Sequence, residues 1–159
     1  MSIIVKKVDP RESNIQALID GLEKYNRQLY PEFFASRLSD YTIEELCRDN
    51  FHFIAGFIDE FPVGIGAVKY VKEENYAEIT RVFVHEDYRR KGIAIKMIQD
   101  LENQAQKKGF SVFKLETGIG QPEAIKLYEK LGYVKTEEGF GHHTNANHNT
   151  LYFMPKNIK

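Results

Sequence analysis

Hydrophobic positions change their period along this chain, and each change marks an element. Ile3 to Val8 alternate loosely and predict a first strand, which Pro10 stops. Behind Ser13, a residue suited to a helix N-cap, Ile15, Leu18, Ile19 and Leu22 recur at helical spacing. That helix is expected to run to about Leu29, where Tyr30-Pro31 breaks it. Tyr30 to Tyr41 is aromatic without a sustained period. Thr42, with Glu45 three residues on, has the pattern of a capping box and predicts a short helix.

Strands follow. Phe51 to Ile58 and Val63 to Val71 form a predicted hairpin around a turn at Asp59, Glu60, Phe61 and Pro62. Lys72 to Asn75 is a polar turn, and Tyr76 to Val84 is the next strand. Strands in this meander order are expected to pair antiparallel. The period then switches. Ile93, Met97, Ile98, Leu101 and Ala105 share a helical face that Gly109 closes, and Val112 to Thr117 is again strand-like. Pro122 stands where an N1 proline belongs, in a helix to Leu131 that ends at Gly132. Tyr133 to Lys135 and Leu151 to Met154 read as closing strands. A meander followed by β-α-β-α-β predicts an α/β protein with a mixed sheet, its parallel pair between Tyr76–Val84 and Val112–Thr117.

Composition narrows the class. A chain of 159 residues has the size of one domain, and 42% hydrophobic with 28% charged residues is an ordinary globular balance. With 22 basic and 23 acidic residues it lacks the basic excess of a nucleic-acid binder. No apolar run reaches the roughly 18 residues of a membrane span. The N-terminal residues carry no apolar stretch of signal-peptide length, so a soluble, cytoplasmic protein is expected. One cysteine, Cys47, leaves no internal disulfide framework and no multi-cysteine metal site.

The chemistry concentrates in Arg89-Arg90-Lys91-Gly92-Ile93-Ala94, at a junction between strand and helix. Gly92 lets the backbone bend closely around a ligand, and Ala94 keeps the first helical turn free of bulk. Amides at a helix start lack partners inside the helix and attract anions. Three cationic side chains stand beside them, and a pyrophosphate is a natural guest. The segment is not a P-loop, nor a dinucleotide fingerprint. The plain alternative is a helix start with solvated charges.

The stretch from Ala77 through Ala94 resembles the fourth strand, connecting loop and third helix of the GNAT superfamily, the acetyl-CoA-dependent N-acetyltransferases. The superfamily's pyrophosphate pattern, Arg/Gln-x-x-Gly-x-Gly/Ala, is matched by Arg89, Gly92 and Ala94. Leu115-Glu-Thr-Gly118 and Gln121 to Tyr133 resemble its fifth strand and fourth helix. The likeness covers Phe51 to Val134 and extends by element order to one domain over 1–159. It implies a mostly antiparallel sheet flanked by helices, with a central parallel pair that splays apart. It also implies acetyl transfer to a primary amine of a small molecule, by direct attack on the thioester through a tetrahedral intermediate. The other readings of the same resemblance are a non-catalytic acyl-CoA-binding module and a protein N-acetyltransferase.

Carried onto this chain, the resemblance places the backbone of Val82, Phe83 and Val84 beside the pantetheine of acetyl-CoA. An amide there would stabilise the oxyanion. Arg89, Arg90, Lys91, Gly92, Ile93 and Ala94 would hold the pyrophosphate. Tyr128 falls at the tyrosine that gives a proton to the departing thiolate; otherwise it is a packing residue. Glu78 is the candidate base, with a cross-strand charge partner as its alternative role. Glu116 is the runner-up, on the acceptor side. Gln121 replaces an asparagine that contacts CoA in many relatives. Tyr30, Phe33 and Phe34 are candidate walls of the acceptor pocket. His142, His143 and His148 suggest a metal, but without periodicity or a cysteine they read as a polar loop, and no metal is expected. No nucleic-acid or membrane partner is expected, and the protein is read as a monomer or homodimer.

Overall fold

The computed structural model describes residues 2–29, 41–118, 121–136 and 151–157, with the side chains of 118 and 151–154 left aside. Its elements are β1 (Ile3–Lys7), α1 (Ser13–Leu29), α2 (Ile43–Leu46), β2 (Phe51–Ile58), β3 (Phe61–Val71) and β4 (Tyr76–Val84). There follow α3 (Ile93–Lys107), β5 (Val112–Gly118), α4 (Pro122–Lys130) and β6 (Leu151–Asn157). The strands form one sheet in chain order, β1-β2-β3-β4-β5-β6. Neighbours pair antiparallel except β4 and β5, which are parallel and joined by the α3 crossover. This is the mixed α/β sheet that the hydrophobic pattern predicts.

Both faces of the sheet are covered, which is why β2 and β3 read as nearly continuous apolar runs. On one face Ile54, Val68, Ile79, Phe113 and Leu115 pack with Ile93, Met97, Ile98, Leu101 and Ala105 of α3. On the other, Phe53, Ala55, Ile65 and Ala67 pack with Ile15, Leu18 and Ile19 of α1 and Leu46 of α2. Gly56 and Gly64 face each other in register. A Cβ at Gly56 would lie 3.1 Å from Ile93, and one at Gly64 3.0 Å from Met97. The paired glycines therefore let the first turns of α3 sit close on the sheet. Among the described residues, no helix is long and apolar enough to cross a membrane.

Three local expectations change. The hairpin turn is only Asp59-Glu60, at φ 49° and 71°, while Phe61 and Pro62 already belong to β3. Two left-handed residues in succession match the twist of the flanking strands. Ser13 is the first helical residue, and the amides of Ile15 and Gln16 bond to the Glu12 carbonyl instead. Tyr133 to Lys135 is not a strand. The Tyr133 amide still bonds back to the Tyr128 carbonyl, so this backbone completes the helix exit, and the Val134 amide bonds to the Pro155 carbonyl. The capping box at Thr42 and Glu45 is present in both directions.

Two irregularities shape the middle of the sheet. β4 and β5 are in register only at Ala77–Phe113 and Glu78–Lys114, and beyond Glu78 they part. In the same stretch β4 bulges. Thr80 pairs with Ala67 and Phe83 with Ile65, so Arg81 and Val82 together face the single Gly66. Arg81 takes up the extra residue at φ 58°. A bulge bends and twists its strand, which carries the end of β4 away from β5.

Candidate active site at the parted strands

The parting of β4 and β5 opens a cleft of about 510 Å³ between the starts of α3 and α4. Val82, Phe83 and Val84 form one wall, and Thr117 with the first turns and Tyr128 of α4 form the other. Leu22 and Tyr25 of α1 also reach it. One end is the start of α3. Gly92 is the N-cap residue at φ 80°, and Arg90 is also left-handed at φ 66°. A Cβ on Gly92 would meet no protein atom within 4 Å, so within the protein it is the left-handed backbone that calls for glycine. The first helical bond runs from the Lys96 amide to the Gly92 carbonyl, and no side chain caps the helix. The amides ahead of that bond, at Ile93, Ala94 and Ile95, are donors at the positive end of a 15-residue helix dipole.

The three basic residues before Gly92 differ in use. The Arg89 Nε donates to the Val84 carbonyl at 2.9 Å. Its guanidinium lies 5.0 Å from the Tyr25 ring centroid and 5.7 Å from that of Phe83. Arg89 thus ties the end of β4 to the loop and to α1. Arg90 reaches Glu123 at the start of α4, 3.3 Å away, joining the two helix starts that flank the cleft. Lys91 is exposed and is not among the cleft-lining residues.

Tyr128 is buried in the cleft wall, and burial pushes its hydroxyl up to about 12. Thr117 is buried too, and its Oγ1 donates to Gln121 Oε1 at 2.9 Å. That bond turns the Gln121 side chain toward β5 instead of onto its own helix start, which it does not cap.

A second cluster lies on the opposite face, at the point where the strands part. Glu78 is 4% exposed and accepts a hydrogen bond of 2.6 Å from the Tyr41 hydroxyl. Burial raises the Glu78 pKa, while the Tyr41 bond and the charges of Lys69 and Arg81 oppose the rise. Lys69 is its register partner on β3, and its ammonium sits 5.0 Å from the Tyr41 ring centroid. Arg81, turned by the bulge, donates to the Tyr41 carbonyl at 3.2 Å. Burial and the neighbouring Glu78 charge hold the Tyr41 hydroxyl far above the tyrosine range, so it stays a donor. Glu116 acts electrostatically on both Tyr41 and Arg81 and belongs to the same cluster.

The sequence matches the acetyltransferase (GNAT) family over residues 18–133, most of the chain. The protein is a GNAT acetyltransferase. It is 29% identical over 132 residues to the IAA acetyltransferase of Azospirillum brasilense, covering 83% of this chain and 84% of that one. A Xenopus laevis protein provisionally named N-acetyltransferase camello is 34% identical over 68% of this chain, although the match spans only 53% of that protein. Among solved structures, a Klebsiella pneumoniae protein provisionally named an acyl-CoA N-acyltransferase superposes with a TM-score of 0.78 at 25% identity, over 99% of this chain and 98% of that one. An N-acetyltransferase of Thermoplasma acidophilum, solved with coenzyme A, shares the fold with a TM-score of 0.67 at 19% identity, over 99% and 100% of the two chains. The GNAT assignment makes this chain an acyltransferase.

Against that assignment the predicted residues separate into two groups. Val82, Phe83, Val84, Arg89, Arg90, Gly92, Ile93, Ala94, Gln121 and Tyr128 all line the cleft between β4 and β5. Glu78 and Glu116 do not line it, and stand together on the α1 face. Tyr30, Phe33 and Phe34, like His142, His143 and His148, lie outside the described residues. Leu22, Tyr25 and Thr117 of the cleft, and Tyr41, Lys69 and Arg81 around Glu78, were not predicted from the sequence as site residues. Tyr41 is the one with a usable signal, as the last aromatic residue before the Thr42 cap.

Proposed function

We propose that this chain, as one domain over 1–159, moves the acetyl group of acetyl-CoA to a primary amine of a small molecule. What supports this is the pairing, across one gap between strands, of an uncapped helix start on one face with a buried carboxylate cluster on the other. The α3 amides and Arg90 would receive the pyrophosphate. Gly92 fits there because it adds no side chain to the cradle. The pantetheine would lie along Val82, Phe83 and Val84, whose backbone amides are at hand for the oxyanion of the tetrahedral intermediate.

Glu78 would take a proton from the acceptor ammonium, directly or through water, before the free amine attacks the thioester carbon. The second nitrogen proton would leave to solvent as the intermediate collapses and CoA departs as the thiolate. Glu116 would add to the field that attracts a cation. The burial of Glu78 supports a small or slender acceptor, because little else reaches it. Tyr128 would serve the departing sulfur. Burial pushes that hydroxyl up to about 12, above an ordinary thiol at about 8.5, which disfavours full proton transfer. Tyr128 therefore acts as a hydrogen-bond donor to sulfur as the carbon–sulfur bond breaks.

The test is thiol release from acetyl-CoA across a panel of small amines, with acetyl-CoA binding measured by calorimetry. Amine-dependent release supports the reading. Binding without release for every amine would make the chain a binding module, and release only with peptide amines would make it a protein acetyltransferase. Tyr128→Phe is expected to lower kcat about tenfold or more while acetyl-CoA affinity holds. An unchanged kcat removes Tyr128 from the chemistry.

A further inference from the structure

Behind Tyr128 lies a buried polar cluster that the reaction above leaves unused. Tyr133, 1% exposed, donates from its hydroxyl to Glu102 Oε2 of α3 at 2.7 Å. Lys156 of β6 grips the same carboxylate at 3.0 and 3.1 Å. The Glu102 and Lys156 side chains are 8% and 19% exposed. The stem of Lys156 runs over Gly132, where an added Cβ would meet it at 3.4 Å. Two elements, α3 and β6, therefore converge on one tyrosine.

Stability is a weak reason for such a cluster, since well-packed apolar residues replace a buried ion pair at little cost. Its position suggests another. The Tyr133 ring lies edge-on to Tyr128, with centroids 6.2 Å apart and planes at 70°. The Tyr133 amide also bonds to the Tyr128 carbonyl at 3.0 Å. Tyr128 sits near the end of α4, which stops at Lys130. Helix ends fray, so its ring needs support from outside the helix. Among the described residues, no hydrogen bond contributes to its raised hydroxyl, only burial. Packing thus aims that hydroxyl, and Tyr133 is the aromatic neighbour that the cluster makes rigid.

We propose that Glu102 and Tyr133 are positioning residues for Tyr128: the carboxylate, anchored by Lys156, fixes the Tyr133 ring, and that ring sets the direction of the Tyr128 hydroxyl in the cleft. The proposal rests on reading Tyr128 as the donor to the leaving sulfur. Misaiming a group that acts only as that bond breaks lowers kcat and leaves acetyl-CoA binding in place.

The deciding variant is Tyr133→Phe, which keeps the ring and leaves the Glu102–Lys156 pair intact. Glu102→Gln is its companion, and thermal melting checks that both fold. In protein carrying ring-13C tyrosine, the Tyr128 signals are identified by their loss in Tyr128→Phe. Both variants are expected to shift those signals. With the amine giving most thiol release in the panel, kcat is expected to fall about tenfold while the KM for acetyl-CoA stays within about twofold. In a Tyr128→Phe background, adding Tyr133→Phe should then change nothing further. Unmoved Tyr128 signals in Tyr133→Phe overturn the proposal, as does a tenfold loss that persists without the Tyr128 hydroxyl. Full turnover by Tyr128→Phe alone would instead overturn the leaving-group reading, a separate result that needs neither other variant.

Discussion

Glu78 is held between opposing effects, and the balance has consequences at the scale of one side chain. Burial disfavours its charge, while Tyr41, Lys69 and Arg81 favour it. Burial wins, so the folded chain keeps a proton on Glu78 in a pH window where the unfolded chain, near the ordinary value of about 4.3, has lost it. Within that window the folded state binds more protons. Stability from this site is therefore full below the unfolded pKa and is lost as pH rises through the raised one. Glu78→Gln has no charge to bury. It is expected to melt at least as high as the natural protein at pH 8 by scanning calorimetry, while amine-dependent turnover falls about 10²-fold or more. Tyr41→Phe removes a bond that lowers the Glu78 pKa. The acidic limb of its kcat/KM profile is expected to move to higher pH. Sequence reasoning reached Glu78 and Tyr128 through motif positions, but not Tyr41 or Lys69. Their partnership is made by strand register and by a residue 37 positions away, which no local pattern encodes.

At the scale of elements, the start of α3 carries the clearest requirement. Gly92 is left-handed with open space around it. Gly92→Ala would therefore cost only the conformational penalty, roughly 1–2 kcal/mol, seen as a lower melting temperature. It would also place a methyl in the cradle, and calorimetry is expected to show weaker acetyl-CoA binding. The sequence announces this element twice, by the single glycine and by the helical period behind it. It does not announce the β4 bulge. Arg81 has nothing of the glycine or asparagine usual at positive φ, and the alternation of β4 passes through it without a visible break. Nor does the run of basic residues show that Arg89 turns back onto the Val84 carbonyl. Charge in a motif tells where cations start along the backbone, while the direction of a long side chain is settled by the carbonyls and rings it meets.

At the scale of the molecule, the meander, the crossover helix and the parallel pair were legible because they depend on hydrophobic period and on turns. The parting of β4 and β5 came from family resemblance alone, since neither strand carries a break at Glu78. A protein with such an opening should be steadied by what fills it. With acetyl-CoA at about 100 times its dissociation constant, stabilisation of about 2.7 kcal/mol is expected. A thermal-shift titration should show the melting temperature climbing with concentration, and a flat response would argue against binding. The sheet's spatial order has a kinetic corollary as well. β2, β3 and β4 pair through short turns, whereas β1–β2, β4–β5 and β5–β6 each pair across intervening helices. The short connections favour fast collapse of β2 to β4 as a meander. The β4–β5 junction needs the whole of α3 to be in place first. On refolding, pulse-labelled amides of β2 and β3 are expected to gain protection before those of β5, so the reactive crevice would be the last part of the sheet to assemble.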